Sequence, residues 1–225
     1  MFATFVNMVA VIAGTIVGMF AKGGIPKKIE DTIMSGMGLA IILIGLQMAI
    51  KADNMIIVTI SLAVGGLIGE LCKLDDRLNG FGEWLKAKTK IEDNYFVDGF
   101  VNASLIFCVG AMAILGSIAA GLEHDYTIIF TKSTLDGIMA IVLASSMGIG
   151  VAFSAIAILI YQGAITLMAG MLQGILTETV VAYLSATGGL LIMGIGLNVA
   201  EIKRINVVNL LPGIFIAAAV AGFLG

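Results

Sequence analysis

The sequence predicts an all-α polytopic membrane protein with about eight membrane segments. Of its 225 residues, 60% are hydrophobic and only 12% are charged, whereas about a quarter of an average soluble chain is charged. Several apolar stretches reach the roughly 18 to 20 residues that a helix needs to cross a hydrocarbon core about 30 Å thick. The lipid bilayer is therefore the expected surrounding of this chain, and a secreted or ordinary cytosolic protein is excluded.

Charge, cysteine and histidine usage exclude further classes. The net charge is −3, and no basic groove with interleaved aromatic residues is present, so nucleic acid is not an expected partner. Cys72 and Cys108 lie far apart in apolar sequence without a neighbouring histidine, which predicts buried thiols rather than metal ligands. His124 is the only histidine, and no nucleophile or metal-ligand spacing accompanies it. We therefore expect no catalytic residue, cofactor or metal, and no enzyme.

Apolar length alone predicts six spans. A further apolar stretch of about 39 residues, from Ile138 to Leu176, is about twice too long for one crossing. Dividing it near Gly148 and Gly150 gives two more spans, of which Leu135–Ile149 is short; a re-entrant segment is the alternative there. The eight predicted spans are Phe2–Ala21, Ile33–Ile50, Met55–Cys72, Phe96–Leu122, Leu135–Ile149, Val151–Gln173, Val180–Ala200 and Val207–Leu224.

The basic residues favour eight spans over seven. With eight, ten of the twelve basic residues share one side and only Lys51 and Lys132 lie opposite; with seven, the division is eight against four. Because cytoplasmic loops carry the excess of Lys and Arg, the eight-span arrangement places both termini outside. It also places the loop from Lys73 to Lys90 in the cytoplasm. That connector, residues 73–95, has leucines and Phe81 at helical spacing beside Trp84, which predicts an amphipathic helix in the headgroup region or an ordinary anchored connector.

Two segments of the chain resemble each other. Gly38–Ala49 (GLAIILIGLQMA) is similar to Gly189–Ala200 (GLLIMGIGLNVA), and an apolar span follows each copy. Spans 1 to 3 would then repeat as spans 6 to 8, and because a shift of five spans is odd, the two copies would run in opposite directions. This divides the single membrane domain 1–225 into repeat one (about 1–72), the connector, central spans 96–150 and repeat two (about 151–225). Inverted repeats are typical of secondary transporters, although channels also use them.

Glycine within the predicted spans has two interpretations. Gly14 and Gly18 form a GxxxG pattern, which favours close helix packing and a homo-oligomer, expected to be a dimer. Gly110 and the segment from Ser145 to Gly150 instead interrupt apolar stretches about midway. Broken helices expose backbone groups that bind solutes or ions, although packing explains such glycines equally well.

Uncharged polar side chains within the spans are the candidate substrate-binding residues. Gln47 and Asn198 occupy equivalent positions in the two similar segments, so we expect them to meet near a pseudo-twofold axis. Hydrogen bonding between helices is the alternative role for such amides. Asp136 follows Lys132 by four residues, which allows a helical ion pair, but both are expected near the membrane surface. The candidate set comprises Asn7, Gln47, Asn102, Ser117, Gln162 and Asn198.

A combination of short motifs resembles the YqgA/YdfK-like family of bacterial integral membrane proteins, a domain of unknown function. The motifs are FCVGAMAILGSI at residues 107–118, Lys132-Ser133 with Leu135-Asp136-Gly137, Tyr161-Gln162-Gly163, Gly196-Leu197-Asn198 and Asn209-Leu210-Leu211-Pro212. The resemblance covers nearly the whole chain. It implies a multi-pass protein of the bacterial inner membrane and supplies no substrate or catalytic residue.

Together these patterns favour a secondary transporter of a small solute that works by alternating access, with coupling to Na⁺ or H⁺ as a conjecture. Two other classes stay open. A channel or pore would conduct without saturating like a carrier. A membrane scaffold without transport would use the connector helix as its docking surface.

Overall fold

A computed structural model describes residues 1–21, 27–172 and 174–224, and all regular secondary structure in these ranges is helical. The predicted span end at Gln173 and the predicted cytoplasmic Lys22 lie outside the described residues. The helices are α1 (Phe2–Ala21), α2 (Lys27–Ala49), α3 (Met55–Cys72), α4 (Leu74–Thr89), α5 (Phe96–Cys108), α6 (Ala111–Leu122), α7 (Thr127–Met147), α8 (Gly150–Leu167), α9 (Ala169–Leu172), α10 (Glu178–Val199) and α11 (Pro212–Leu224), with a 3₁₀ turn at Val207–Leu210.

The all-α membrane class is confirmed by helix length and composition. Five described helices, namely α1, α3, α7, α8 and α10, are long and apolar enough to cross a bilayer. The pair α5 and α6 makes a sixth crossing if its two halves, which meet at an angle of 61°, belong to one span. Two shorter apolar helical segments, Met34–Ala49 and Val207–Phe223, accompany them.

Local sequence explains where several helices begin and end. The Asn54 side chain accepts a hydrogen bond from the Ile56 N–H (3.0 Å) at the start of α3, and Thr177 does the same for Val180 (3.3 Å) at the start of α10. Such caps satisfy backbone donors that have no partner within the helix. The predicted connector contains the helix α4, which begins directly after Lys73 turns the chain with a φ of 52°.

Two glycines interrupt the long apolar stretches, as the sequence predicted. Gly110 has a φ of 152° between α5 and α6, and Gly148 has a φ of 73° between α7 and α8. Side chains other than glycine rarely adopt such angles, so the helix ends are fixed by these residues. The Gly148 N–H donates to the Ala144 carbonyl (2.9 Å), which closes the last turn of α7.

Two predictions about individual positions are wrong. The short span expected at Leu135–Ile149 is in fact α7, which begins at Thr127 and contains 21 residues, or about 31 Å of helix. It is long enough to cross, and Lys132 lies inside it rather than in an outside loop. A hydropathy scale scores each residue alone, so Lys132 is taken as the end of a span. The scale does not include the ion pair that Lys132 forms with Asp136, one helical turn away. Cys72 is exposed rather than buried, since it ends α3 at the surface, whereas Cys108 is half-buried.

The described helices form two compact units. Unit 1 comprises Met1–Glu30, Asn79–Cys108 and Met112–Gln173, and unit 2 comprises Asp31–Leu78, Val109–Ala111 and Gly174–Gly225. The predicted division of the chain into two repeats and a centre stays a prediction.

In unit 1, α1 packs closely against α7 through its GxxxG pattern. A Cβ atom at Gly14 would overlap the carbonyl oxygen of Gly137, and one at Gly18 would overlap that of Ile141. Small residues allow such backbone approach inside a membrane. This face of α1 is therefore covered within the chain, and the expected homodimer, which stays a prediction, must use another surface.

In unit 2, α2 and α10 run antiparallel and touch through glycines. A Cβ at Gly45 would lie 2.5 Å from the Gly189 carbonyl oxygen, and one at Gly38 would lie 2.7 Å from that of Gly196. In the same unit, α3 approaches α11 where Gly65 meets Gly213. The close helix contacts in the core of unit 2 thus depend on glycine residues.

Two alanine substitutions in α2 test this contact. Gly45→Ala should lower the free energy of unfolding by about 1–3 kcal/mol, because the new methyl group overlaps α10. Gly36→Ala is the matched control: Gly36 is exposed with nothing within 4 Å, so the better helix propensity of alanine should leave stability unchanged or raise it. Thermal unfolding in detergent measures both, and equal effects of the two substitutions would contradict the close contact.

Candidate functional site

A charged pair lies inside unit 1. Lys132 and Asp136 form an ion pair one turn apart on α7, and they are only 6% and 8% exposed. Asp136 is the tenth residue of α7, so about 13.5 Å of helix precede it in a helix about 31 Å long that is apolar enough to cross a bilayer. The expectation that Asp136 is solvated is wrong, because the residue is buried, whereas the predicted ion pair is confirmed. Charged side chains buried within a membrane-spanning helix are costly and mark functional sites by default.

Two buried amides complete the surroundings of the pair. The Asn7 Nδ2 group of α1 donates to Asp136 Oδ2 (3.0 Å) and to Gln162 Oε1 of α8 (3.2 Å). Asn7 and Gln162 are both fully buried. We call Asn7, Lys132, Asp136 and Gln162 the polar cluster; it joins three apolar helices.

Helix packing explains why Asn7 reaches α7. Asn7, Gly14 and Gly18 lie seven and four residues apart, so they share one face of α1. The glycines bring that face against the backbone of α7. Asn7 lies two turns before Gly14 on the same face, so its amide side chain lies against Asp136.

The polar cluster keeps hydrogen-bonding capacity that the described residues do not use. Asn7 Oδ1, an acceptor, and Gln162 Nε2, a donor, are buried and have no partner among them. The hydroxyl groups of Ser104 on α5, Ser117 on α6 and Thr166 on α8 are buried in the same unit and share this property. Unsatisfied buried polar groups cost free energy, so they indicate a place where a ligand or water binds.

Neighbouring groups limit the chemistry of the cluster. Cys108, at the end of α5, is half-buried in the same unit, and Tyr161 precedes Gln162 on α8. The Ser133 hydroxyl is already used, because it donates to the Ile129 carbonyl (2.7 Å). Within the described part of the chain, no three His, Cys, Asp or Glu side chains come together in a way that could hold a metal ion. The polar cluster presents one carboxylate, one ammonium group and two amides to a bound species.

Comparison with known proteins gives a family. A family model described as "Protein of unknown function (DUF554)" matches residues 2–221. The chain belongs to this family. It is 35% identical over 224 residues to the "Uncharacterized membrane protein YdfK" of Bacillus subtilis (strain 168), covering 98% of this chain and 95% of the relative. It is 31% identical over 218 residues to the "Uncharacterized protein YqgA" of Escherichia coli (strain K12), covering 95% and 93%.

The resemblance to the YqgA/YdfK-like family is thus confirmed over nearly the full length. No solved structure matches the chain. The descriptions of the family and of the Bacillus subtilis relative support a membrane protein of unknown function.

Four of the six candidate residues lie in unit 1 of this DUF554 protein. Asn7 and Gln162 are hydrogen-bonded to each other within the polar cluster. Ser117 is fully buried with an unused hydroxyl group, and Asn102 is half-buried on α5. The structure thus brings Asn7 and Gln162 together directly and places Ser117 and Asn102 in the same unit.

The other two candidates lie in unit 2. Gln47 is exposed on α2. Asn198 donates to the Ile205 carbonyl (2.8 Å) and accepts from the Ile205 N–H (2.7 Å), which holds the turn after α10. A binding role for Gln47 and Asn198 stays a prediction.

Sequence reasoning missed Lys132 and Asp136 as members of the site. A signal was present: α7 contains only these two charged residues, of opposite sign and four residues apart, within 21 residues of otherwise uncharged sequence. Such a pair can neutralise itself, so the helix can enter the membrane with both charges.

A mutant cycle tests whether the pair serves stability. Lys132→Met and Asp136→Asn should each lower the free energy of unfolding by about 3 kcal/mol, because each leaves one buried charge without its partner. The double variant should regain most of the loss, since it has no buried charge and the new amide oxygen at position 136 can still accept from Asn7. Thermal unfolding in detergent measures all four proteins. A double variant that loses the sum of both effects would contradict this pairing.

Proposed function

We propose that this protein is a secondary transporter of a small polar solute, and that it works by alternating access. The polar cluster carries the proposal, because ionisable side chains inside a membrane bundle face substrate or ion pathways. Its unused donor and acceptor supply the hydrogen bonds that a solute needs. Two glycine-interrupted helix junctions in the chain, at Gly110 and Gly148, support the proposal, since transporters bind solutes where helices break.

The contact between α2 and α10 supports an inverted repeat. In the two similar segments, Gly38 corresponds to Gly189 and Gly45 corresponds to Gly196. The observed contacts join Gly38 to Gly196 and Gly45 to Gly189. Each glycine therefore touches the counterpart of the other, which is the pattern that a two-fold axis produces. We propose on this basis that spans 1 to 3 and 6 to 8 are inverted copies.

We further propose eight crossings in the bacterial inner membrane, with both termini outside. The five long helices, the bent pair and the two shorter apolar segments supply eight candidates. Since Lys132 is buried in α7, it no longer counts as an outside loop charge, and the basic residues divide ten against one. This distribution supports a cytoplasmic α4.

Cysteine labelling of the full-length protein tests this orientation. In a background with Cys72 and Cys108 replaced by Ala, a membrane-impermeant maleimide should label Lys51→Cys in intact cells but not Lys90→Cys. Both positions are exposed, so both should react after permeabilisation. Labelling of Lys90→Cys in intact cells would invert the proposed orientation.

Ligand-induced stabilisation tests the function and the site together. Purified protein is heated with amino acids, carboxylates, nucleobases and sugars; a ligand at about one hundred times its Kd adds roughly 2.7 kcal/mol. Gln162→Leu should abolish that shift, since it removes the unused donor from the polar cluster. Gln47→Leu makes the same chemical change at an exposed position and should keep the shift.

The outcomes separate the alternatives. Loss of the shift in Gln47→Leu alone would move the site to Gln47 and Asn198. For a ligand that binds, uptake into proteoliposomes should saturate. Conductance in planar bilayers that does not saturate would replace the carrier by a pore, and the absence of both binding and conductance would favour a scaffold.

A further inference from the structure

We propose that the solute bound at the polar cluster is an uncharged molecule that carries an amide, that is, an N–H group beside a C=O group, as carboxamides and nucleobases do. This inference rests on the proposed function and names the substrate class of the same site. The direction of the hydrogen bonds in the polar cluster and further unused groups on α6 and α8 carry it.

Asp136 fixes the direction of the hydrogen bonds in the polar cluster. A carboxylate paired with Lys132 only accepts, so Asn7 turns its Nδ2 group toward Asp136 Oδ2 (3.0 Å). The same Nδ2 group donates to Gln162 Oε1 (3.2 Å), which leaves Gln162 Nε2 without a role in this bond. The two amide atoms that have no partner among the described residues are therefore of defined type. Asn7 Oδ1 is an acceptor, and Gln162 Nε2 is a donor.

The helix pair α5 and α6 runs beside α8 in the same direction. Gly150 begins α8, and a Cβ atom there would overlap the carbonyl oxygen of Phe96, which begins α5. Near the other end of α8, a Cβ at Gly121 of α6 would overlap the Thr166 carbonyl oxygen. The starts of α5 and α8 thus meet, and so do the ends of α6 and α8. All four residues belong to unit 1.

This arrangement brings further unused polar groups close to Gln162. Gln162 and Thr166 lie four residues apart and share one face of α8, as Ser117 and Gly121 share one face of α6. Because Gly121 contacts Thr166 and the two helices run in the same direction, Ser117 lies at the level of Gln162. The hydroxyl groups of Ser117 and Thr166 are buried and have no partner in the described part of the chain. Each can donate or accept.

These unused groups select the solute class. Asn7 Oδ1 needs a donor from the solute and Gln162 Nε2 needs an acceptor, and an amide supplies both. The hydrogen bond between the two side chains keeps these atoms within about 8 Å of each other, within reach of one small molecule. A sugar has more hydroxyl groups than this site can pair, and each buried group without a partner is costly.

Charge excludes further solutes. The charges of Lys132 and Asp136 cancel, so a carboxylate or an organic cation would bring an uncompensated charge into a medium of low dielectric constant. A carboxylate also has no donor for Asn7 Oδ1. An uncharged amide meets the unused groups and leaves the ion pair closed.

Matched pairs of solutes test the class by thermal unfolding of the purified full-length protein. Nicotinamide and nicotinate have the same shape and differ in a carboxamide or a carboxylate. Uracil and dimethyluracil, in which both ring nitrogens are methylated, have the same acceptors, but only uracil has N–H donors. At least one of nicotinamide and uracil should raise the unfolding midpoint. Its matched partner should bind at least tenfold more weakly, about the effect of one lost hydrogen bond, and glucose should not bind.

Two threonine-to-valine substitutions locate the site. Thr166→Val removes a hydroxyl group that has no partner among the described residues, so it should weaken solute binding about tenfold without lowering the unfolding midpoint of the solute-free protein. Thr187→Val is the matched control. The buried Thr187 hydroxyl donates to the Tyr183 carbonyl (2.8 Å), so this variant should lower the midpoint and leave solute binding unchanged. Gel filtration checks that both variants stay folded.

Several results overturn the inference. Stabilisation by nicotinate or glucose but by neither nicotinamide nor uracil would reject the solute class, as would equal stabilisation by uracil and dimethyluracil. Both results leave the proposed transport function in place, because a solute binds. Solute binding that is unchanged in both Thr166→Val and Gln162→Leu would reject the site. No stabilisation by any solute would reject the inference and the proposed transport function together, since the unused groups then bind only water.

Discussion

The contact between α1 and α7 is the constraint on which the polar cluster depends. Asp136 needs a hydrogen-bond donor other than Lys132, and Asn7 supplies it across 3.0 Å. That distance is short enough only because Gly14 and Gly18 let the two backbones touch. Larger residues at these positions would move Asn7 away and leave the carboxylate with a partner from its own helix alone. Gly14 and Gly18 therefore determine the surroundings of Lys132 and Asp136.

The bilayer imposes the second constraint, because it makes net charge more costly than polarity. α7 can cross with Lys132 and Asp136 since the two charges cancel over one helical turn. α4, by contrast, carries six charged residues, and the rings of its Phe81 and Trp84 are exposed and stacked on each other. Lys88 lies 4.8 Å from the Trp84 ring centroid, a cation–π arrangement suited to the interface between water and lipid.

Those two constraints explain what the sequence could predict. Span length is a local property, so hydropathy found the membrane class, and Gly148 marked the break between α7 and α8 because its backbone angle is specific to glycine. Asn7 and Gln162 were recognisable as polar residues in apolar surroundings. Burial of their partner Asp136 could not be predicted in this way. A hydropathy scale scores single residues and does not include the neutralisation of the Asp136 charge by Lys132.

The exposed position of Gln47 could not be predicted for a related reason. Equivalence of Gln47 and Asn198 in two similar segments says that they occupy the same place in each copy, not that this place faces the centre. The glycines at the contact, Gly45 and Gly189, also have counterparts in the two similar segments, and they do face the partner helix. Similar segments identify corresponding residues. Which of these residues face the core depends on the helix that packs against the segment, and the sequence of the segment alone does not identify that helix.

The energetics of buried ion pairs indicate whether the charges of Lys132 and Asp136 serve stability or binding. Apolar residues of similar volume stabilise a helix bundle as well as a buried pair does, or better. The Lys132–Asp136 pair is therefore not required for α7 to cross or to pack on α1. Both charged groups are buried beside amides that retain unused bonds, which raises the cost of keeping them. The pair therefore fits a role in binding better than a role in stability, which is what the proposed transport function requires.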